Sequence, residues 1–289
     1  MNANGAGTLR IAAIQMNSGD DKARNIETAL RLIDRAAEEG ARLIALPEVW
    51  TFLGGDAASL EAAEPIPGPV TELLAERARR HDVYIHGGSF QERIADDPQR
   101  TWNTTVLIDP RGNIIARYRK IHLFDVDIAG KVTARESERI RPGHEIAYAD
   151  IDGHRFGLTI CYDLRFPELF RSLALMGCEA IFLPAAFTLQ TGRDHWEILI
   201  RARAIENSCY MLASGLVGKH ESGGDTYGHS MIVDPWGTVV SNMPDEVGIV
   251  VSELDFARQA RIRQEIPVLT NRQPEAYPDL LIKEAAAVS

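Results

Sequence analysis

Cysteine is scarce in this chain: Cys161, Cys178 and Cys209 are the only three in 289 residues. An odd, sparse set implies no disulfide framework, and no CxxC or paired Cys/His spacing suggests zinc. The eight histidines form no HxxxH or HxH pair, so no metal and no cofactor is expected. No stretch approaches ~18 uninterrupted apolar residues, so no membrane span is expected. The opening MNANGAGTLRIAAIQM lacks a charged segment followed by a long apolar run, which argues against a secretory leader. Positive charge is also short. Lys and Arg number 31 against 41 Asp and Glu, a net charge of −10. Such a surface repels phosphate backbones and anionic lipid, so neither nucleic acid nor membrane is an expected partner. The 23 Gly and 14 Pro follow no period, which excludes collagen-like and low-complexity chains. A cytoplasmic setting, where free thiols survive, is the expectation.

What is present is the balance of an ordinary globular protein, 45 % hydrophobic and 25 % charged. Apolar β-type runs alternate with helical patterns. LRIAAIQM (9–16), ARLIALP (41–47) and VYIHGGSF (83–90) read as strands. Residues 21–39 read as a helix with Ile26, Ala29, Leu30, Ile33 and Ala37 on one stripe, stopped by Gly40. Residues 67–80 read as a second helix with proline near its start. Residues 104–120 read as two strands joined by a D-P-x-G turn.

The same order then repeats. GARLIALPEVWTF (40–52) aligns without gaps on GCEAIFLPAAFTL (177–189). HDVYIHGGSF (81–90) falls on NSCYMLASGL (207–216), and VLIDPRGNII (106–115) on MIVDPWGTVV (231–240). RIAAIQMN resembles FGLTICYD in pattern. Several matches in one order predict two similar halves of one fold. Polar-faced strands are scarce, so each sheet is expected to be covered by helices outside and by the other sheet inside. The predicted fold class is therefore α/β, a four-layer αββα sandwich with a pseudo-twofold internal repeat. One domain is expected over residues 8–270, with 271–289 as a tail able to contact a partner.

Three reactive side chains stand just beyond predicted strands, where α/β sheets bind ligands. Glu48 follows LIALP, Lys120 follows IIARYR and Cys161 follows FGLTI. Taken singly, each has a plain reading: a helix-start charge, a solubility lysine and a small core hydrophobe. Their flanks argue otherwise. Glu48 sits between Pro47 and Val49–Trp50, Lys120 precedes IHLFD, and Cys161 precedes YDLRFPEL. Phe187 and Thr188 occupy the repeat positions of Trp50 and Thr51, which makes them candidates for lining a pocket; a core role for Phe187 fits as well.

CYDLRFPEL, LPEVW and YRKIHLFDVDIAGK, with TGRDHWEILIRARAIEN and YGHSMIVDPWGTVV, closely resemble the nitrilase (carbon–nitrogen hydrolase) superfamily, and within it the Nit branch of small-amide amidases. The resemblance spans about Ile11 to Tyr277. It implies the αββα sandwich and assembly into dimers or larger homo-oligomers. It implies Cys161 as nucleophile, Glu48 as general base, Lys120 as third catalytic residue, Glu136 as a second glutamate lining the site, and the Tyr162 N–H as an oxyanion donor. The implied substrate is a small amide bearing a carboxylate, such as deaminated glutathione or an ω-amide of an α-keto dicarboxylate, cleaved through a thioester. Arg165 is the candidate to bind that carboxylate; an internal pair with Asp163 or Glu168 is the alternative. A Lys120 cation near the sulfur would favour the thiolate, while Glu48 can accept the proton. Other readings are an N-carbamoyl amidase, a nitrilase, or a binding protein on the same fold.

Overall fold

A computed structural model describes residues 7–128, 132–221 and 224–276. Most of the expected tail (277–289), the end of the YRKIHLFDVDIAGK motif (129–131) and residues 222–223 lie outside the described residues. The first half runs β1 (Thr8–Gln15), α1 (Lys22–Glu38), β2 (Leu43–Ala45), α2 (Asp56–Ala62), α3 (Pro69–His81), β3 (Tyr84–His86), β4 (Phe90–Arg93), β5 (Thr101–Ile108) and β6 (Ile114–Arg119). A hairpin, β7 (Asp125–Ile128) with β8 (Val132–Arg135), leads to β9 (Ala147–Ile151) and β10 (His154–Leu158). Then come α4 (Pro167–Leu175), β11 (Ala180–Ala185), α5 (Leu189–Asn207) and β12 (Tyr210–Gly215). A second hairpin (β13, Val217–Lys219; β14, Asp225–Tyr227) precedes β15 (Met231–Val233), β16 (Val239–Asn242), β17 (Gly248–Asp255) and α6 (Phe256–Glu265).

The repeat is visible in the sheet order. One sheet runs β17-β1-β2-β3-β5, with β4 and β6 both on β5; the other runs β9-β10-β11-β12-β15-β16. In each, an antiparallel edge strand precedes three parallel strands and an antiparallel return. Turn chemistry repeats too. Asp109 and Asp234 each accept from the backbone N–H groups two and four residues on, and Gly112 and Gly237 take the left-handed conformation behind them (φ 82° and 86°). The first strand alone departs from the aligned register. Ile11 pairs Leu43 as Phe156 pairs Ala180, so Met16, not Gln15, is the repeat mate of Cys161.

Three apolar clusters separate four layers. Leu32, Ile33 and Leu74 of α1 and α3 pack on Ile14, Ile44 and Ile85. Leu169, Leu173, Ile200 and Ala204 of α4 and α5 pack on Ile181 and Met211. Ile11, Ala13, Leu43 and Ala45 meet Phe156, Phe182, Leu212 and Ile232 between the sheets. Successive residues of one strand thus serve different interfaces, as the period of two requires. Asp21 caps α1 by accepting from Arg24 N–H, and Pro69 opens α3.

The run 83–90 is not one strand. It breaks at Gly88 (φ 61°), where a Cβ would stand 2.1 Å from the Pro47 carbonyl oxygen. The chain turns there so that Ser89 N–H can donate to Pro47 (3.0 Å) and Ser89 Oγ can accept from Val49 N–H (3.2 Å). The glycine break therefore anchors the segment carrying Glu48. The residues on either side of 222–223 are held as well. His220 is buried, with ring nitrogens 2.8 Å from Ser18 O and 2.8 Å from Thr226 Oγ1.

His86 lies between the sheets, stacked on Phe182 at 4.2 Å and 3.0 Å from Thr105 Oγ1. Complete burial holds it neutral, pushing its pKa down from 6.5 to about 3. The unfolded chain binds a proton there below pH 6.5 and the folded chain does not. His86 therefore leaves stability intact above 6.5 and removes it as pH falls toward about 3, on the order of 4 kcal/mol in full. Urea unfolding should show a smaller loss between neutral and mildly acidic pH in His86→Gln than in the parent. An equal loss in both would contradict this account.

Candidate active site

The ends of β2, β6 and β10 converge on one cavity of about 390 Å³. All eight expected residues line it: Glu48, Lys120, Glu136, Cys161, Tyr162, Arg165, Phe187 and Thr188. Glu48 is 4 % exposed and Lys120 2 % exposed. Lys120 Nζ donates to Glu48 Oε1 (3.0 Å) and to both oxygens of Glu136 (3.0 and 2.8 Å). Glu48 Oε1 also accepts from Asn103 Nδ2 (2.9 Å), and Oε2 from Ala186 N–H (2.8 Å). Glu136, on a short 3-10 turn after β8, is fixed by Phe124 N–H at 2.6 Å.

Backbone conformation sets the reactive ends. Cys161 has φ 48° and Val49, directly after Glu48, has φ 44°. Left-handed geometry at non-glycine residues, and at a β-branched one above all, stores strain that the surroundings must hold. Asp163 supplies much of that hold. It is fully buried and accepts from Ile160 N–H (2.8 Å), Tyr118 OH (2.7 Å) and His122 N–H (3.1 Å). It thereby ties the turn after β10 to the chain around Lys120. Cys161–Arg165 forms a 3-10 turn, whose leading N–H groups, Tyr162 among them, have no acceptor within the turn.

Residues 10–264 match the carbon–nitrogen hydrolase family. The chain belongs to that family. It is 40 % identical over 264 residues to the deaminated glutathione amidase of Synechocystis sp., covering 90 % of this chain and 97 % of that one. It is 38 % identical to the omega-amidase NIT2 of Homo sapiens, over 93 % of this chain and 97 % of the relative. The NitFhit crystal structure from C. elegans superposes with a TM-score of 0.89 at 38 % identity, covering 94 % of this chain and 66 % of that one. This carbon–nitrogen hydrolase is thus an amidase acting on C–N bonds other than peptide bonds.

Lys120 favours the thiolate as expected, but burial and Glu48 outweigh it. Burial pushes the Cys161 thiol well up, and the Glu48 carboxylate adds to this by opposing the thiolate and accepting the S–H hydrogen bond. Lys120 and the Ala186 N–H pull the other way with less effect. The resting hydrolase holds a protonated thiol aimed at a base, not a thiolate. Burial opposes the Lys120 charge, but the Glu136 and Glu48 carboxylates hold its pKa well above the ordinary value.

Arg165 makes neither of the internal pairs considered for it. Among the described residues no carboxylate lies within ion-pair range of it; its Nη2 is 3.3 Å from His195 Nδ1, and its guanidinium lies 5.4 Å from the Phe187 ring. Phe187 serves both readings, lining the cavity and packing on Trp196 at 4.9 Å. Thr188 Oγ1 is 2.8 Å from Thr191 Oγ1.

Sequence reasoning missed Asn103. An asparagine inside TWNTTVLI is out of place in a buried strand, and that was its signal. It also missed Asp56 and Arg139, an ion pair whose partners both line the cavity. Neither stands in a periodic or motif context.

Cys178 and Cys209 are completely buried, their pKa values pushed up to about 12 and about 11 by burial. Iodoacetamide should therefore label Cys161 alone in the folded protein, through the cavity. Its rate should keep rising past the ordinary thiol value of about 8.5, as read by peptide mass spectrometry. A plateau reached below neutral pH would instead indicate a preformed thiolate.

Proposed function

We propose that the chain cleaves small, carboxylate-bearing amides through a thioester on Cys161, with deaminated glutathione or ω-amides of α-keto dicarboxylates as the substrate class. The observation that carries this reading is the buried chain Glu136–Lys120–Glu48 beside the Cys161 thiol in one cavity. An amide carbonyl is a weak electrophile. It needs a strong nucleophile at the carbon and charge at the oxygen. Glu48 accepts the thiol proton as sulfur attacks, so the thiolate forms only when the carbonyl is there to take it. The Lys120 ammonium and the Tyr162 N–H receive the oxyanion; losing one such donor typically costs about 100-fold or more in rate. Glu48 then passes its proton to the departing amine. It next takes a proton from the water that opens the thioester. Glu136 orients Lys120 and keeps it charged.

The guanidinium of Arg165, with no carboxylate in ion-pair range among the described residues and backed by Phe187, suits the substrate's acyl-side carboxylate. The substrate class is supported by relatives named for deaminated glutathione and for omega-amidase activity. Residues 8–270 serve as one catalytic domain in this reading. Assembly into homo-oligomers is supported by Leu175, Ile198 and Ile205, exposed apolar residues on the outer helices. Three unpaired cysteines are in keeping with a cytoplasmic setting, and among the described residues no helix is long and apolar enough to cross a membrane.

Ammonia or amine release should be measured on α-ketoglutaramate, α-ketosuccinamate, deaminated glutathione, N-carbamoyl compounds and nitriles. Cys161→Ala should abolish release from the preferred amide while its circular dichroism matches the parent. Retained turnover would remove Cys161 from the chemistry, and a preference for nitriles or carbamoyl compounds would replace the proposed substrate class. Arg165→Met should lower kcat/KM for carboxylate-bearing amides about tenfold or more and affect neutral amides less. An equal loss on both would assign Arg165 to structure.

A further inference from the structure

Asn103 reaches the site from inside β5. It is buried and lines the cavity. Its backbone carbonyl accepts from Lys120 N–H (2.9 Å), so its place is fixed relative to the residue that carries the ammonium. Its Nδ2 donates to Glu48 Oε1 (2.9 Å). Its Oδ1 is buried and meets no donor among the described residues. A buried acceptor left unmet is unfavourable, and a leucine of similar shape would avoid it. The bond to Glu48 is therefore what the amide contributes.

The two oxygens of Glu48 are held differently. Oε1 accepts from two side chains, Asn103 Nδ2 and Lys120 Nζ (3.0 Å). A carboxylate oxygen has two lone pairs, so Oε1 is fully occupied. Oε2 accepts from the Ala186 N–H (2.8 Å) and keeps a lone pair for one more donor. The same Ala186 N–H reaches the Cys161 sulfur, whose thiol is hydrogen-bonded to Glu48. One backbone donor shared by Oε2 and the sulfur puts the thiol on the Oε2 side.

We propose that Asn103 is a positioning residue that assigns the proton transfers of Glu48 to one oxygen. By filling Oε1 together with Lys120, it leaves Oε2 as the atom that takes the Cys161 proton. This inference rests on the Cys161 amidase reading and deepens it. In acylation the thiol proton moves to Oε2 as the C–S bond forms. The oxyanion then returns its electron pair, the C–N bond breaks, and the proton leaves on the amine. In deacylation a water proton moves to Oε2 as the C–O bond forms. The C–S bond then breaks and the proton returns to sulfur. Oε1 keeps its two donors throughout. Without Asn103, Oε1 keeps only Lys120. A carboxylate with fewer donors is more basic, and a proton can then settle on the oxygen away from the sulfur. The titratable groups facing Glu48 are Lys120 after β6 and Cys161 after β10, with Glu136 after β8 behind Lys120. β5 and the segment after β11 present neutral donors, Asn103 and the Ala186 N–H.

The test measures kcat and KM against pH for the full chain on its preferred amide, with circular dichroism as the check of folding. Asn103→Leu keeps the shape and removes the donor. Its kcat should fall about tenfold or more, with KM little changed. The acid limb of its kcat/KM profile should move up by about one pH unit, because the base needs a higher pH to ionise. Asn103→Asp keeps the parent's shape and can donate an O–H while neutral. Its activity relative to the parent should fall as pH rises, when its own ionisation removes the donor and sets a like charge against Glu48. An acid limb that stays in place in Asn103→Leu would overturn the proposal. So would an Asn103→Asp activity that is a constant fraction of the parent's at every pH, since Asn103 would then serve packing alone. A rise in KM with kcat and the limb unchanged would overturn it too, by assigning Asn103 to substrate contact. Failure of the broader reading looks different: the parent itself would show no Cys161-dependent turnover of any amide.

Discussion

A single ammonium, that of Lys120, sits 2 % exposed between two carboxylates, and the arrangement of the site depends on it. A lone buried charge would cost several kcal/mol, and pairing offsets this only when the geometry is good and the remaining lone pairs are occupied. Here they are occupied. Glu48 also accepts from Asn103 and Ala186 N–H, and Glu136 from Phe124 N–H. The partners come from β2, β5, β6, the turn after β8 and the segment after β11. Five elements distant in sequence must therefore close together for the ammonium to be tolerated. The same requirement makes the site rigid, which electrostatic catalysis needs.

Asp163 performs the matching task for the sulfur. It accepts from the turn that presents Cys161 and from Tyr118 and His122 on either side of Lys120. Lys120 and Cys161 are therefore positioned by one buried carboxylate as well as by the sheets. Strained backbone at Val49 and Cys161 is held by such side chains: Ser89 behind Val49, and Asp163 behind Cys161.

The halves of the fold were legible because their turns are chemically specific. Asp-Pro-x-Gly at 109–112 and 234–237, and glycines at 40 and 177, repeat in the same order and adopt the same left-handed positions. Strand boundaries were less legible. Gly87–Gly88 looks like a weak spot inside a strand, and nothing local says that Pro47 occupies the space of a Cβ. The reactive residues could be read from their place after strands and from their motifs. The protonation state of Cys161 could not, because it turns on Glu48 and burial outweighing Lys120. Asp56 and Arg139 could not be read either, since α2 buries no residue and leaves no periodic trace.

The repeat also explains why there is one site and not two. Glu48 and Ala185 are mates, as are Val49 and Ala186, and Glu48 bonds the Ala186 N–H directly. Equivalent positions of the two halves therefore meet beside the pseudo-twofold axis. A second carboxylate at residue 185, which is fully buried, would place like charges together in low dielectric, with Lys120 already shared between two glutamates. A second thiol at Met16 would have no base to face. The halves have instead divided the work. The first supplies Glu48 and Lys120; the second supplies Cys161, the Tyr162 N–H and the Ala186 N–H that orients the first half's glutamate.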